Sequence, residues 1–200
     1  MNGRQSELER DTRETSISVQ LDLDGSGNVQ VDTGIGFLDH LLHTIAYHAR
    51  WDLTLSCKGD LHVDDHHTAE DCAIALGGAV DRALAERSGI SRFGFAFAPL
   101  DEALARAVVD VSGRPHSDIV LGLRRDGIGG LSCENIPHVL SSFATAARIT
   151  LHVDVLKGQN DHHRAEAAFK ATALAFRTAV APSGFGDLAS TKGTLGGAAT

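Results

Sequence analysis

The chain is written twice, and no other feature constrains its fold as tightly. The stretches "DHHTAE" at 65–70 and "DHHRAE" at 161–166 share the core Asp-His-His-x-x-Glu, the second copy 96 positions after the first. Looking for such periods comes before any residue-level reading, because a repeat fixes the architecture. The match extends upstream. With His40 superposed on His138, Leu42 falls on Leu140 and Ala49-Arg50 on Ala147-Arg148, and Leu53-Thr54-Leu55 meets Ile149-Thr150-Leu151 after a two-residue gap. His40 precedes His66 by 26 positions and His138 precedes His162 by 24.

The flanking segments predict an α+β fold made by internal duplication of a half-domain, each half a sheet packed against helices on one face. "TSISVQLDLDG" alternates apolar Ile17, Val19, Leu21 and Leu23 with polar neighbours and turns at Asp24–Gly27, the pattern of a half-buried strand entering a hairpin. "ALARAVVDVSG" at 103–113 has the same character. Each half reads as hairpin, helix, strand, motif helix, with Ala-rich amphipathic motif helices over roughly 67–87 and 163–181. The boundary is expected near "ERSGISRFG", giving halves 1–91 and 92–200. No connecting stretch is long or Pro-rich, so the halves are expected to pack as one body.

The repeated residues point to metal chemistry. Neighbours on a helix diverge by about 100°, so two adjacent histidines cannot comfortably grip one ion. The glutamate lies three residues from one histidine and four from the other, and can share a face with either. Sending the two histidines to two ions is the economical solution. The ligand set is then His40, His66, His67 and Glu70 from one half and His138, His162, His163 and Glu166 from the other, three imidazoles and one carboxylate per ion. Such a set suits Mn, Fe, Co or Zn and leaves positions open for substrate. Of the remaining histidines, His152 stands on an alternating strand opposite Ser56 in the repeat, and His43, His62 and His116 lack repeat partners; structural or exposed roles are expected. His48 lies about two helical turns beyond His40, in a position to contact substrate.

Composition narrows the function class. The formal net charge of −8 argues against a nucleic-acid binder but not against a small anionic substrate. No apolar run is long enough to span a membrane, and the polar stretch "MNGRQSELERDTRET" does not read as a secretory signal, so a cytoplasmic protein is expected. Cys57, Cys72 and Cys133 form no CxxC pair and are expected to be reduced, mostly buried fillers.

Beyond the histidine motifs, "RDTRETSISVQLDLDG", "DTGIGFLDHLLHTIAYHARWDL", "RFGFAFAPLDEALARAVVDVSGRP", "GQNDHHRAEAAFKA" and "STKG" give the chain a resemblance to the imidazoleglycerol-phosphate dehydratase family over nearly its whole length. That resemblance implies dehydration of D-erythro-imidazole glycerol phosphate to imidazole acetol phosphate in histidine biosynthesis. It implies two Mn(II) ions and a homo-oligomeric 24-mer of trimers with active sites built between subunits. It carries the metal-ligand role onto the same eight residues that the repeat selects. Glu14 in "RETS" matches the family's acid/base, and Arg92, Arg114, Lys170, Ser190 and Lys192 match its phosphate-binding groups. Read alone, Lys170 is explained by an ion pair with Glu166 four residues back, and Glu14 by an exposed strand start. A dinuclear phosphate-ester hydrolase and a metal-storage protein are the competing classes. His43 departs from the family's pattern beside His40, the Gly-rich stretch 126–137 reads as a surface connection, and "GGAAT" at 196–200 as a frayed tail.

Overall fold

The computed structural model describes residues 3–195, so the tail at 196–200 lies outside the described residues. The first half runs β1 (Gln5–Asp11), β2 (Thr15–Asp22), β3 (Val29–Asp32), α1 (Gly36–Ala49), β4 (Asp52–Gly59) and α2 (His66–Leu84). The second runs β5 (Phe93–Leu100), β6 (Ala103–Asp110), β7 (His116–Val120), a short β8–β9 hairpin (Gly127–Ile128 and Leu131–Ser132), α3 (Asn135–Ala146), β10 (Thr150–Lys157) and α4 (Asp161–Ala179). The two larger sheets have matching orders, β1-β2-β4-β3 and β5-β6-β10-β7. The expected duplicated α+β architecture is the observed one.

Two details differ from the sequence reading. The hairpin of each half lies one strand earlier than the alternation suggests. β1 pairs with β2, and the turn at Asp24–Gly27 leads into β3, which pairs in parallel with β4 and never touches β2. Parallel strands need a crossover, and α1 supplies it, so β4 inserts between β2 and β3. The two-residue gap of the repeat is also displaced. Asp52 faces Asp22 as Thr150 faces Asp110, so β4 and β10 align without a break and the shortening falls in the loop before the motif helix.

Alternation drives each sheet to bury one face. Ile17, Val19 and Leu21 of β2 and Ala103, Ala105, Ala107 and Val109 of β6 point inward. The helices fill the space between the sheets, with α1 against α4 and α2 against α3 across the duplication. Small residues set these distances. A Cβ on Gly77 of α2 would fall 2.6 Å from the Phe143 carbonyl oxygen of α3, and one on Gly94 of β5 would overlap the Ala175 carbonyl oxygen of α4. Trp51 is fully buried where the halves meet, its ring edge-on to Phe176 at 5.2 Å between centroids. Truncating a buried aromatic of this kind to Ala costs about 3–5 kcal/mol. The core therefore joins the halves through the same helices that carry the repeated histidines.

The stretch 126–137 is not a bare surface connection. It folds as the β8–β9 hairpin and the first turn of α3, and Ile128, Leu131, Cys133, Asn135 and Ile136 are buried. Among the described residues, no helix is long and apolar enough to cross a membrane.

Candidate metal centre

Both motif helices begin in the same way. The Asp64 carboxylate accepts a hydrogen bond from the His66 backbone N–H at 2.9 Å, and the Asn160 side-chain oxygen accepts one from His162 at 2.9 Å. Asn160 is the N-cap of α4, and Asp64, one residue before the α2 N-cap Asp65, makes the equivalent bond, so each His-His pair is held in the first turn with a free backbone donor satisfied. Adjacent rings then point apart, with interplanar angles of 70° for His66–His67 and 88° for His162–His163.

The structure brings six of the eight expected ligands into two clusters, His40–His162–Glu166 and His66–Glu70–His138, each with its ligand atoms within 4.8 Å of one another. Each cluster straddles the duplication. His40 and His162 turn Nε2 to the same Glu166 oxygen, at 3.1 and 3.2 Å. His138 Nε2 lies 2.9 Å from Glu70, and His66 Nε2 lies 3.9 Å from it. The glutamate thus shares a face with the first histidine of each pair, the i,i+4 neighbour. Two imidazoles and a carboxylate converging through Nε2 form a donor set that fits a divalent transition metal.

His67 and His163 stand outside both clusters. His67 Nδ1 lies 3.0 Å from Asp60, and His163 Nδ1 lies 2.7 Å from Glu102. Each carboxylate raises the pKa of its histidine, and Nε2 of each ring is left as the available ligand atom. Backbone N–H groups of Asn160 and Gln159, together with His163, hold Glu102 down to about 2. Glu14 sits exposed on the β1–β2 turn, with its carboxylate 3.7 Å from His67 Nε2.

Of the other expected site residues, Lys170 joins the first cluster directly, its ammonium 2.7 Å from Glu166. Burial pushes the Glu166 carboxyl up, but hydrogen bonds from Lys170 and His40 prevail and hold it at about 2. His48 lies on α1, the helix that packs on α4, and burial, then the nearby Lys170 charge, lower its pKa. Arg92 is elsewhere. It grips Asp110 at 2.7 Å and the Ala189 carbonyl at 2.6 Å, beside Ser190 and Lys192. Its backbone N–H bonds Ala179 at the far end of α4, roughly 20 Å along that helix from Glu166. Arg114 is exposed just beyond β6. His43 is exposed and stacks on Tyr47 at 6.0 Å, clear of the His40 ring's own contacts, and His62, His116 and His152 are exposed. Cys72 and Cys133 are buried and Cys57 partly so, all free.

Sequence reasoning missed Asp60, Glu102 and Asn135. Asn135 accepts from the His66 ring at 2.9 Å. Asp60 has no repeat partner because its loop is the shortened one in the second half. Glu102 could have been found: it lies on the β5–β6 turn, as Glu14 lies on β1–β2.

The fold and the two clusters define a duplicated α+β protein with carboxylate–histidine sites of the kind metal-dependent enzymes use. A family model described as imidazoleglycerol-phosphate dehydratase matches residues 33–176. The chain belongs to that family. It is 54% identical to the imidazoleglycerol-phosphate dehydratase of Pyricularia oryzae, covering 96% of this chain and 97% of that protein. It is 61% identical to the one from Saccharomyces cerevisiae over 84% of this chain and 76% of the relative. At 59% identity it spans only 42% of the length of the Phytophthora nicotianae protein of that name. The solved dehydratase from Pyrococcus furiosus, in complex with (S)-C348, superposes with a TM-score of 0.80 at 33% identity, over 94% of this chain and all of that one. The Staphylococcus aureus structure gives 0.76 at 31% identity, over 89% and 99%.

Proposed function

We propose that this chain dehydrates imidazole glycerol phosphate to imidazole acetol phosphate at a dinuclear manganese site. The observation that carries this reading is the pair of equivalent His-His-Glu clusters, each built from both halves. Two ions in these clusters would act as Lewis acids on the substrate's imidazole ring and favour its imidazolate, which can expel the neighbouring hydroxyl. His40, His162 and Glu166 hold one end of the site, and His66, Glu70 and His138 the other. Glu14, on its turn beside His67, moves the proton at the adjacent carbon. The enol that results becomes the ketone.

The site is assembled between subunits of a cytoplasmic homo-oligomer, a 24-mer of trimers. Three observations support a site shared between subunits. His67 and His163 are oriented by carboxylates yet reach neither cluster of their own chain, so each is free to supply the third imidazole of a neighbour's cluster. Arg92, Ser190 and Lys192 gather roughly 20 Å along α4 from Glu166, farther than a ring and a three-carbon chain can bridge, so they serve the phosphate of a substrate held by another subunit. Arg114, exposed just beyond β6, is a further cation for the phosphate, and Lys170 stands on the cluster side, 2.7 Å from Glu166. Finally, Phe93, Phe95 and Phe97 are exposed along edge strand β5, with Val108 beside Phe95, an apolar face of the kind that protein contacts cover.

The test is a product assay on the Mn-loaded protein. Formation of the ketone without release of inorganic phosphate supports the dehydratase reading. Phosphate release would make it a phosphate-ester hydrolase, and metal uptake with no turnover would make it a storage protein.

A further inference from the structure

The two clusters are related by the repeat, yet they are not held alike. The difference begins three residues before each upstream histidine. Asn135 precedes His138 by three positions, and its counterpart before His40 is Phe37. Asn135 is buried in the first turn of α3, and its side-chain oxygen lies 2.9 Å from His66 Nδ1. Its amide nitrogen donates to Asp65 at 3.0 Å, and the Asp65 carboxylate also accepts from the Ser132 backbone N–H at 2.6 Å and the Ser132 hydroxyl at 2.8 Å. An ionised carboxylate can only accept, so it commits the Asn135 nitrogen and turns the oxygen to His66. An acceptor at Nδ1 calls for the proton on Nδ1. The lone pair of the neutral ring is then on Nε2, aimed at Glu70 and His138.

In the other cluster Phe37 takes that place. Its ring packs 4.9 Å from His162 and 5.9 Å from His40 between centroids, which fixes position but selects no tautomer. A second difference acts in the same sense. Lys170 sets its ammonium 2.7 Å from Glu166, while the residue four beyond Glu70 is Ile74. A bound ammonium competes with a metal for the carboxylate, and an isoleucine cannot.

We infer that the two clusters bind divalent metal unequally: His66–Glu70–His138 fills first and more tightly, and Asn135 is the positioning residue that sets its higher affinity. This rests on the dinuclear reading above and adds an order of loading to it. The Gly-rich stretch 126–137 gains a role, since Ser132 and Asn135 are its contacts to the start of α2.

The test is calorimetric titration of Mn(II) into the metal-stripped full chain. Wild type should show a tight step and a weak step, with Glu70→Gln removing the tight one and Glu166→Gln the weak one. Asn135→Ala should weaken the tight step about 10–100-fold and leave the weak step in place, which also reports that the variant is folded. The exchange Asp65→Asn with Asn135→Asp keeps an acceptor against His66 and a donor between the two positions, and should recover most of the loss. Two equal steps in wild type, or a tight step removed by Glu166→Gln, would overturn the inference alone. So would Asn135→Ala weakening both steps equally. A wild-type chain that takes up no metal would overturn the dinuclear reading with it.

Discussion

His40 of the first half and Glu166 of the second stand 3.1 Å apart across 126 residues of chain. The mirrored pair, Glu70 and His138, stands at 2.9 Å. Neither half can form a cluster alone, so the duplication makes two sites only when both halves are packed. Removing one carboxylate should therefore cost one ion and spare the other. Glu166→Gln and Glu70→Gln are each expected to lower Mn content, read by elemental analysis, from two ions per chain to one. Loss of both ions in either single variant would mean that the clusters are one site.

Glu14 is expected to move protons without holding metal, since it lies on the β1–β2 turn, outside both clusters. Glu14→Gln keeps the shape and removes the base. General acid–base groups contribute about 10²–10⁴-fold, so kcat should fall by that range while Mn content stays at the wild-type value. Near-normal kcat would remove Glu14 from the mechanism, and a lost ion would make it a ligand.

Much of this was legible in the sequence because duplication marks the ligands twice. The repeat selects His40 and His138 from upstream helices on spacing alone, and the clusters use both. The strand order was not legible, because alternation in "TSISVQLDLDG" says which face is buried but not which strand lies next to β2. Asp60 and Asn135 were missed for a related reason. Each orients a histidine from a segment where the two halves differ, so the repeat could not point to either.

His67 and His163 should link metal to assembly. If each completes a neighbour's cluster, His67→Ala and His163→Ala will lower Mn content and shrink the particle together, and chelation of wild type will shrink it too, because ligands that bind only the assembled state stabilise it by mass action. Sedimentation that shows an unchanged large particle after complete metal removal would separate assembly from metal.

Acid should reveal one charge that the fold needs away from the site. The backbone N–H groups of Asn28, Ser26 and Gly27 converge on Asp52 and hold its carboxyl below the ordinary 3.8. A depressed folded-state pKa gives stability that is present above the unfolded value and lost as pH falls through the folded one. Asp52→Asn should therefore melt below wild type near neutral pH, and the gap should narrow as the pH falls below the ordinary carboxylate range. A gap that persists unchanged into acid would assign the effect to shape and not to charge.

The most direct measurement is anomalous diffraction at the manganese edge from crystals of the Mn-saturated protein. Two peaks per chain are expected, one among His40, His162 and Glu166 and one among His66, Glu70 and His138, each completed by His67 or His163 from a neighbouring subunit. A single peak, or peaks away from these residues, would contradict the dinuclear reading.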